Sequence, residues 1–209
     1  MFYRTEEHHG LPHNPFNAIV LPRPIGWISS VDGDGNVNLA PYSFFNAVAY
    51  VPPQVVFSAT GTHSEGGLKD SVKNIEETGA FVLNLATWNL REQMNASSVP
   101  APRAVNEFEV AGLTPQPSHL VRPPRVAESP VHLECEYIQT IELLAPSAEQ
   151  PNRLVLGKVV GIHIDESVLT DGLVDVAKLQ PIGRMGYRQY VHVTEAFEMN
   201  RPSWTGGAS

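Results

Sequence analysis

The chain has 209 residues and carries 14 Lys+Arg against 22 Asp+Glu, a net charge of −8. That length suits one domain with a sizeable core. The charge argues against nucleic acid and anionic membrane as partners, while still allowing a local cation cluster around an anionic ligand. The single Cys135 excludes an intramolecular disulfide and suits a reducing compartment.

Residues 1–21 read as an N-terminal strap. Met1–Gly10 is polar, carries Glu6, Glu7, His8 and His9, and lacks the apolar core of a signal peptide. No stretch is long and apolar enough to cross a bilayer, so a cytoplasmic protein is expected. Eighteen Pro and sixteen Gly cut the chain into short pieces, which favours a β-rich fold over a helix bundle. Ile25–Val31 predicts a strand, Asp32-Gly-Asp-Gly35 a hairpin turn, and Val37–Phe45 the returning strand. Gln54–Ala59 and Ala80–Ala86 are apolar or β-branched runs of strand length. Between them, Lys69–Thr78 predicts a helix with Leu68, Val72 and Ile75 on its apolar face and a stop at Gly79. Thr87–Asn95 predicts a second helix with Thr87 as N-cap.

From Ser97 to Pro130 the chain is rich in Pro, Ala and Ser, which predicts a long surface excursion, a flap over the site being one form of it. Two long strands follow, His132–Leu144 and Arg153–Ile164, then a short helix, Leu169–Leu179, and a last strand, Val191–Ala196. Residues 197–209 read as a tail, loose from 201 onward, with Trp204 as its one anchor.

Two segments carry chemistry. The Lys69 helix has Lys69 and Lys73 early and Glu76 and Glu77 late, against the helix dipole apart from Asp70. A bound phosphate reconciles that bias, through the free N–H groups, Lys69 and Ser71, with Gly66 and Gly67 allowing close approach. The segment alone reads sooner as a solvated helix with mediocre electrostatics, a cost of a few tenths of a kcal/mol, because short Gly-Lys segments are common. The second segment, Ala40-Pro-Tyr-Ser-Phe-Phe-Asn46, sets Ser43 and Asn46 among aromatics at a strand end. Pro41 there leaves main-chain donors outside a regular ladder.

Rival motifs fall short. Asp32-x-Asp34-x-Asn36 imitates the start of a calcium loop, but Val37 and Ser43 stand where that loop needs Gly and Glu. His8, His9 and His13 are separated by Pro12 and read as part of the strap rather than as a metal site. Cys135 alternates with Leu133 and Tyr137, so a buried strand thiol is expected, not a nucleophile.

The pattern Arg23-Pro-x-x-Trp27-Ile-Ser29, then Asn38-x-Ala40-Pro-Tyr-Ser-Phe-Phe45, then Lys69-Asp-Ser71 ahead of Asn74-Ile75, resembles the flavin-reductase-like, FMN-binding split-barrel family from Pro22 to Val193. The resemblance implies a mainly β fold, a Greek-key-type split β-barrel with a few short helices over residues 22–196. It implies FMN, or FAD in exchange for it, with NAD(P)H as co-substrate giving its hydride to flavin N5. It also implies a homodimer, supported by apolar strands that one small barrel leaves uncovered, and a partner monooxygenase.

By the same resemblance Ser29 and Ser30, with Ala40, Pro41, Tyr42, Ser43, Phe44 and Asn46, line the flavin. Ser58, Ala59 and Thr60, with Lys69, Asp70 and Ser71, hold the ribityl-phosphate. Arg184, in Pro181-Ile-Gly-Arg-Met-Gly-Tyr187, is a further flavin contact. Two departures stand out: Ser30 and Ser71 where relatives often have Thr, and His63 in a loop where relatives tend to carry Arg or Asn. His63 and His163 are candidates for nicotinamide contacts. No acid or base is required, so no catalytic residue is named. A flavoprotein acting on its own small substrate, and an FMN carrier or sensor, are the alternatives.

Overall fold

A computed structural model describes residues 1–204. Its centre is an antiparallel sheet of seven strands: β1 (Gly26–Val31), β2 (Val37–Tyr42), β3 (Phe45–Tyr50), β4 (Pro53–Thr60), β5 (Ala80–Leu85), β6 (Val131–Leu143) and β7 (Asn152–Ile164). They lie in the order β2-β1-β5-β6-β7-β4-β3. The first and last strands of that order, β2 and β3, are consecutive in sequence and joined by only Ser43-Phe44. The sheet therefore has to curl until its two edges meet at that corner, which makes a barrel with a split rather than an open sheet. The rings of Tyr42 and Phe57 meet across the closure, centroids 4.7 Å apart.

The expected strand Val37–Phe45 is thus two strands. The break comes at Ser43-Phe44, where the Phe44 carbonyl turns to accept from the Ser58 N–H at 2.7 Å. Phe45 folds back over Gly26, where any Cβ would stand 2.8 Å from the Phe45 ring, so the close approach requires glycine. The Asp32 turn is built as expected: its carboxylate accepts from the Asn36 N–H and Nδ2, both at 2.8 Å.

Helix α1 (Asp70–Thr78) closes one end of the barrel and stops at Gly79, φ 76°. Its Val72 and Ile75 join Ile28, Phe57, Phe81, Leu83 and Val155 in the interior core. Cys135 lies in the same core, and burial pushes its thiol up, in keeping with a strand thiol of no reactivity.

A second core sits on the outside of β1 and β2. Trp27, Leu39, Leu90, Met94, Phe108 and Val126 fill it. Side chains along β1 alternate, so Trp27 and Ser29 face this outer core while Ile28 and Ser30 face inward. The excursion 97–130 supplies much of the packing, with α3 (Glu107–Ala111) and two-residue strands at Pro115–Gln116 and Arg125–Val126. It is a packed layer on the outside of β1 and β2. The Trp27 Nε1–H donates to Ser97 Oγ at 2.9 Å, and Asn84 Oδ1 accepts from the Val126 N–H at 2.7 Å.

Thr87 precedes a 3-10 turn and α2 (Arg91–Ala96), but its side chain caps nothing; the residue is buried in a bridge to Pro181. The expected helix Leu169–Leu179 is a two-stranded ribbon, Leu169–Thr170 with Leu173–Val174, followed by α4 (Val176–Leu179). The last strand is Tyr190–His192, paired to Ile182–Arg184. Trp204 is 91% exposed and anchors nothing; residues 205–209 of the expected tail lie outside the described residues. No helix among the described residues is long and apolar enough to cross a membrane.

Candidate functional site

A cleft of about 160 Å³ opens where β2 meets the start of α1. Asn38, Ala40, Pro41 and Tyr42 form one wall, and Thr62, His63, Ser64, Lys69, Asp70 and Ser71 a second. The excursion closes the third side with residues 97–101 and Glu107.

The start of α1 lacks its usual partner. Lys69 holds the N-cap position in extended backbone, φ −62° and ψ 146°, and gives no side-chain cap. An ammonium cannot accept a hydrogen bond, so the first N–H groups of the helix have no local acceptor and a positive potential faces the cleft. Asp70, the acid of the first turn, is already engaged. It pairs with Arg103, whose guanidinium also donates to the carbonyls of Gly66 at 2.7 Å and Leu68 at 2.8 Å. His63 completes this knot: the Glu65 N–H donates to its Nδ1 at 3.0 Å, which assigns the ring proton to Nε2. Nε2 lies 3.1 Å from the Ala101 carbonyl and 3.3 Å from Asp70 Oδ2.

Ser71 Oγ accepts from Asn38 Nδ2 at 2.8 Å and lines the cleft beside Tyr42. Burial pushes the Tyr42 phenol up to about 12, with Asp70 and Glu107 adding to the shift and Ser71 offsetting part of it. Tyr42 therefore stays protonated at neutral pH. This donor set fits a phosphate: unpartnered helix N–H groups, one ammonium and no carboxylate free to repel an anion at that wall.

The expected site residues divide by location. Ala40, Pro41, Tyr42, Lys69, Asp70 and Ser71 meet in the cleft. Ser29 and Ser30 are fully buried and point to opposite faces of β1. Ser29 donates to the Pro124 carbonyl at 2.5 Å and so ties β1 to the outer layer, whereas Ser30 accepts from Asn74 Nδ2 at 3.3 Å and Asn38 Nδ2 at 3.4 Å and braces the Asn38 wall from behind. Ser43 and Phe44 form the β2–β3 corner, with Asn46 exposed just beyond it. Ser58, Ala59 and Thr60 end β4 beside that corner.

Arg184 lies on the small sheet with Arg23 as its cross-strand partner, and donates to the Tyr187 carbonyl and the Tyr190 hydroxyl, each at 2.5 Å. Arg23 lies over the Phe44 ring, 5.7 Å from its centroid, and so links this sheet to the corner. His163 faces Glu134 at 2.5 Å and is not among the residues lining the cleft.

Sequence reasoning singled out neither Arg103 nor Glu107, although the expected flap over the site does bring residues 97–101 and Glu107 to the cleft. One signal for the second was present: Asn106 followed by Glu109 and Gly112 marks a helix start and stop, and Asn106 Oδ1 does accept from the Phe108 N–H at 3.0 Å.

Seven antiparallel strands closed at a split, with a helix N-terminus open to a cleft at one end, define a split-barrel domain. An uncharacterised protein of Aquifex aeolicus is 37% identical over 175 residues, 83% of this chain and 86% of its own length. Nitrilotriacetate monooxygenase component B from Bacillus cereus matches with a TM-score of 0.86 at 29% identity, over 95% of this chain and 98% of that one. 2-Nitrobenzoate 2-nitroreductase from Pseudomonas fluorescens matches with a TM-score of 0.77 at 29% identity, over 92% and 91%. The profile of the flavin reductase like domain matches residues 18–181, and the chain belongs to that family.

Proposed function

We propose that the protein is an FMN-binding, NAD(P)H-dependent flavin reductase, with FAD as a second flavin able to enter the site. The observation that carries this is the uncapped N-terminus of α1, with Lys69 beside it, opening onto the same cleft as Ala40–Tyr42. Lys69 and the first N–H groups of α1 bind the phosphate. Ser71 holds Asn38 in the wall behind it, and Arg103 keeps the Asp70 carboxylate turned away. The Ser43-Phe44 corner, with Asn46, Ser58–Thr60 and, through Arg23, Arg184, forms the surface toward the ring. Held by these residues, a flavin would supply the redox chemistry as a hydride acceptor for the reduced nicotinamide. The chain's own part is to bind, orient and exclude water; no side chain has to move a proton.

Similarity to a nitroreductase supports a second reading, a flavoprotein that reduces its own small substrate. Similarity to a monooxygenase component supports delivery of reduced flavin to a separate monooxygenase. Equilibrium titration with FMN tests the binding step, and saturable binding is expected. A protein that binds no FMN overturns the reading.

We also propose a homodimer. Val48 and Tyr50 on β3, Ile138 and Ile141 on β6, and Ile162 and Ile164 on β7 are exposed, apolar surface that a second copy would cover. Light scattering at micromolar concentration is expected to return twice the chain mass, and a single-chain mass with FMN present counts against the dimer.

A further inference from the structure

We propose that Glu107 binds ligand in the cleft, its carboxyl pairing with a sugar hydroxyl of a ligand whose phosphate lies at the start of α1. The proposal rests on the phosphate reading above and adds to it the chemistry of the opposite wall. Glu107 is only 7% exposed, yet borders the cleft. No Lys, Arg or His pairs with it among the described residues. Its protein donors are main-chain N–H groups, that of Leu39 to Oε2 at 3.0 Å and its own. A carboxylate has about four acceptor sites, so capacity remains toward the cleft.

Nor is Glu107 needed to cap its helix, because Asn106 does that. A buried carboxylate without a cation is costly unless something else satisfies it. Burial pushes its carboxyl up; the Leu39 and Glu107 N–H groups and His63 pull it part of the way back, while Asp70 adds to the rise.

The two walls therefore differ in what they accept. Lys69 and the N–H groups of α1 favour an anion, whereas Glu107 repels one and favours a hydroxyl, which satisfies it in either protonation state. A phosphate with hydroxyl-bearing carbons close by meets both requirements. The ribityl chain of FMN and the ribose of an ADP-containing dinucleotide share that chemistry.

The test is equilibrium titration of wild type, Lys69→Ala and Glu107→Gln with FMN, riboflavin and ADP-ribose, alongside a denaturation curve for each protein. Gln keeps an acceptor for the Leu39 N–H but puts a neutral amide NH₂ toward the cleft in place of a charged acceptor, so a charge-assisted bond to the hydroxyl is exchanged for a weaker neutral one. Glu107→Gln is expected to lower affinity for both FMN and riboflavin at least about tenfold with an unchanged unfolding midpoint. Lys69→Ala is expected to affect FMN and spare riboflavin, which has no phosphate. A tenfold loss confined to ADP-ribose assigns the hydroxyl to a dinucleotide ribose and also upholds Glu107 as a ligand residue. Equal affinity of wild type and Glu107→Gln for all three overturns the proposal and leaves Glu107 holding Leu39 alone.

A wild type that binds no flavin overturns the flavin reading instead. The ADP-ribose arm then decides Glu107: bound by wild type and weakened tenfold by Glu107→Gln upholds it, and any other result removes it. If Glu107→Gln does not fold, Glu107→Asp, which draws the carboxylate back from the cleft, is judged by the same criterion.

Discussion

Lys69→Ala is expected to weaken FMN binding by about 1.5–3 kcal/mol, the usual range for a charge-assisted hydrogen bond, or roughly 10- to 150-fold in Kd. The size follows from where Lys69 stands. It is half-buried at the N-cap of α1, where its charge adds to the helix dipole rather than opposing a carboxylate. Asp70, the nearest acid, is held by Arg103. Losing the ammonium leaves the phosphate on main-chain N–H groups alone, so binding weakens without vanishing. Loss of stability should be slight, because Lys69 has no side-chain hydrogen bond to lose at the helix start. Isothermal titration, with a melting curve as control, measures both. Unchanged FMN affinity puts the phosphate elsewhere.

Glu134→Gln is expected to destabilise the fold by about 3 kcal/mol without touching the cleft. Glu134 is completely buried on β6 and accepts from the N–H groups of His119 at 2.8 Å, Leu120 at 2.6 Å and Val121 at 3.2 Å, with His163 Nε2 at 2.5 Å. An amide has one acceptor oxygen and turns its NH₂ toward donors, so at least one main-chain N–H loses its partner in a dry site.

The pH dependence has a definite sign. Burial alone raises the Glu134 carboxyl, but the His119 N–H, the His163 contact and the Leu120 N–H outweigh it and hold it below the usual carboxylate range. A depressed folded value means stability present above the unfolded value of about 4.3 and lost as pH falls through the folded one. Urea titration at pH 7 and below pH 4 measures both effects: the gap between wild type and Glu134→Gln should narrow in acid. An equal midpoint at pH 7 contradicts this account of the 119–121 loop.

The sequence makes some of these features readable and hides others, for physical reasons. Asp-Gly pairs, the Lys69–Thr78 periodicity and Gly79 are local signals, and the elements they mark appear where expected. The corner at Ser43-Phe44 carries no Gly and no Asn-Gly, only the single polar Ser43; barrel closure, a property of all seven strands, bends the chain there. The excursion 97–130 looks like an exposed flap because its Pro, Ala and Ser give no period. Its anchors are single long-range contacts, Trp27 to Ser97 and Asn84 to Val126, which composition does not reveal. The cleft follows the same division. Lys69, Ser71 and Ala40–Tyr42 are contiguous motif residues, whereas Arg103 and Glu107 arrive from a segment more than thirty positions beyond them. Ser29 and Ser30 show the converse: adjacent in a motif, they face opposite sides of one strand.

The central claim is turnover, not only binding, and anaerobic bleaching measures it most directly. Protein loaded with FMN is mixed with NADH or NADPH in the absence of oxygen while absorbance of the oxidised flavin is followed. The account predicts bleaching whose rate saturates with one or both nicotinamides, reversed on admitting air. A protein that holds FMN yet keeps its full visible absorbance with either nicotinamide is a carrier or sensor, and contradicts the reductase reading.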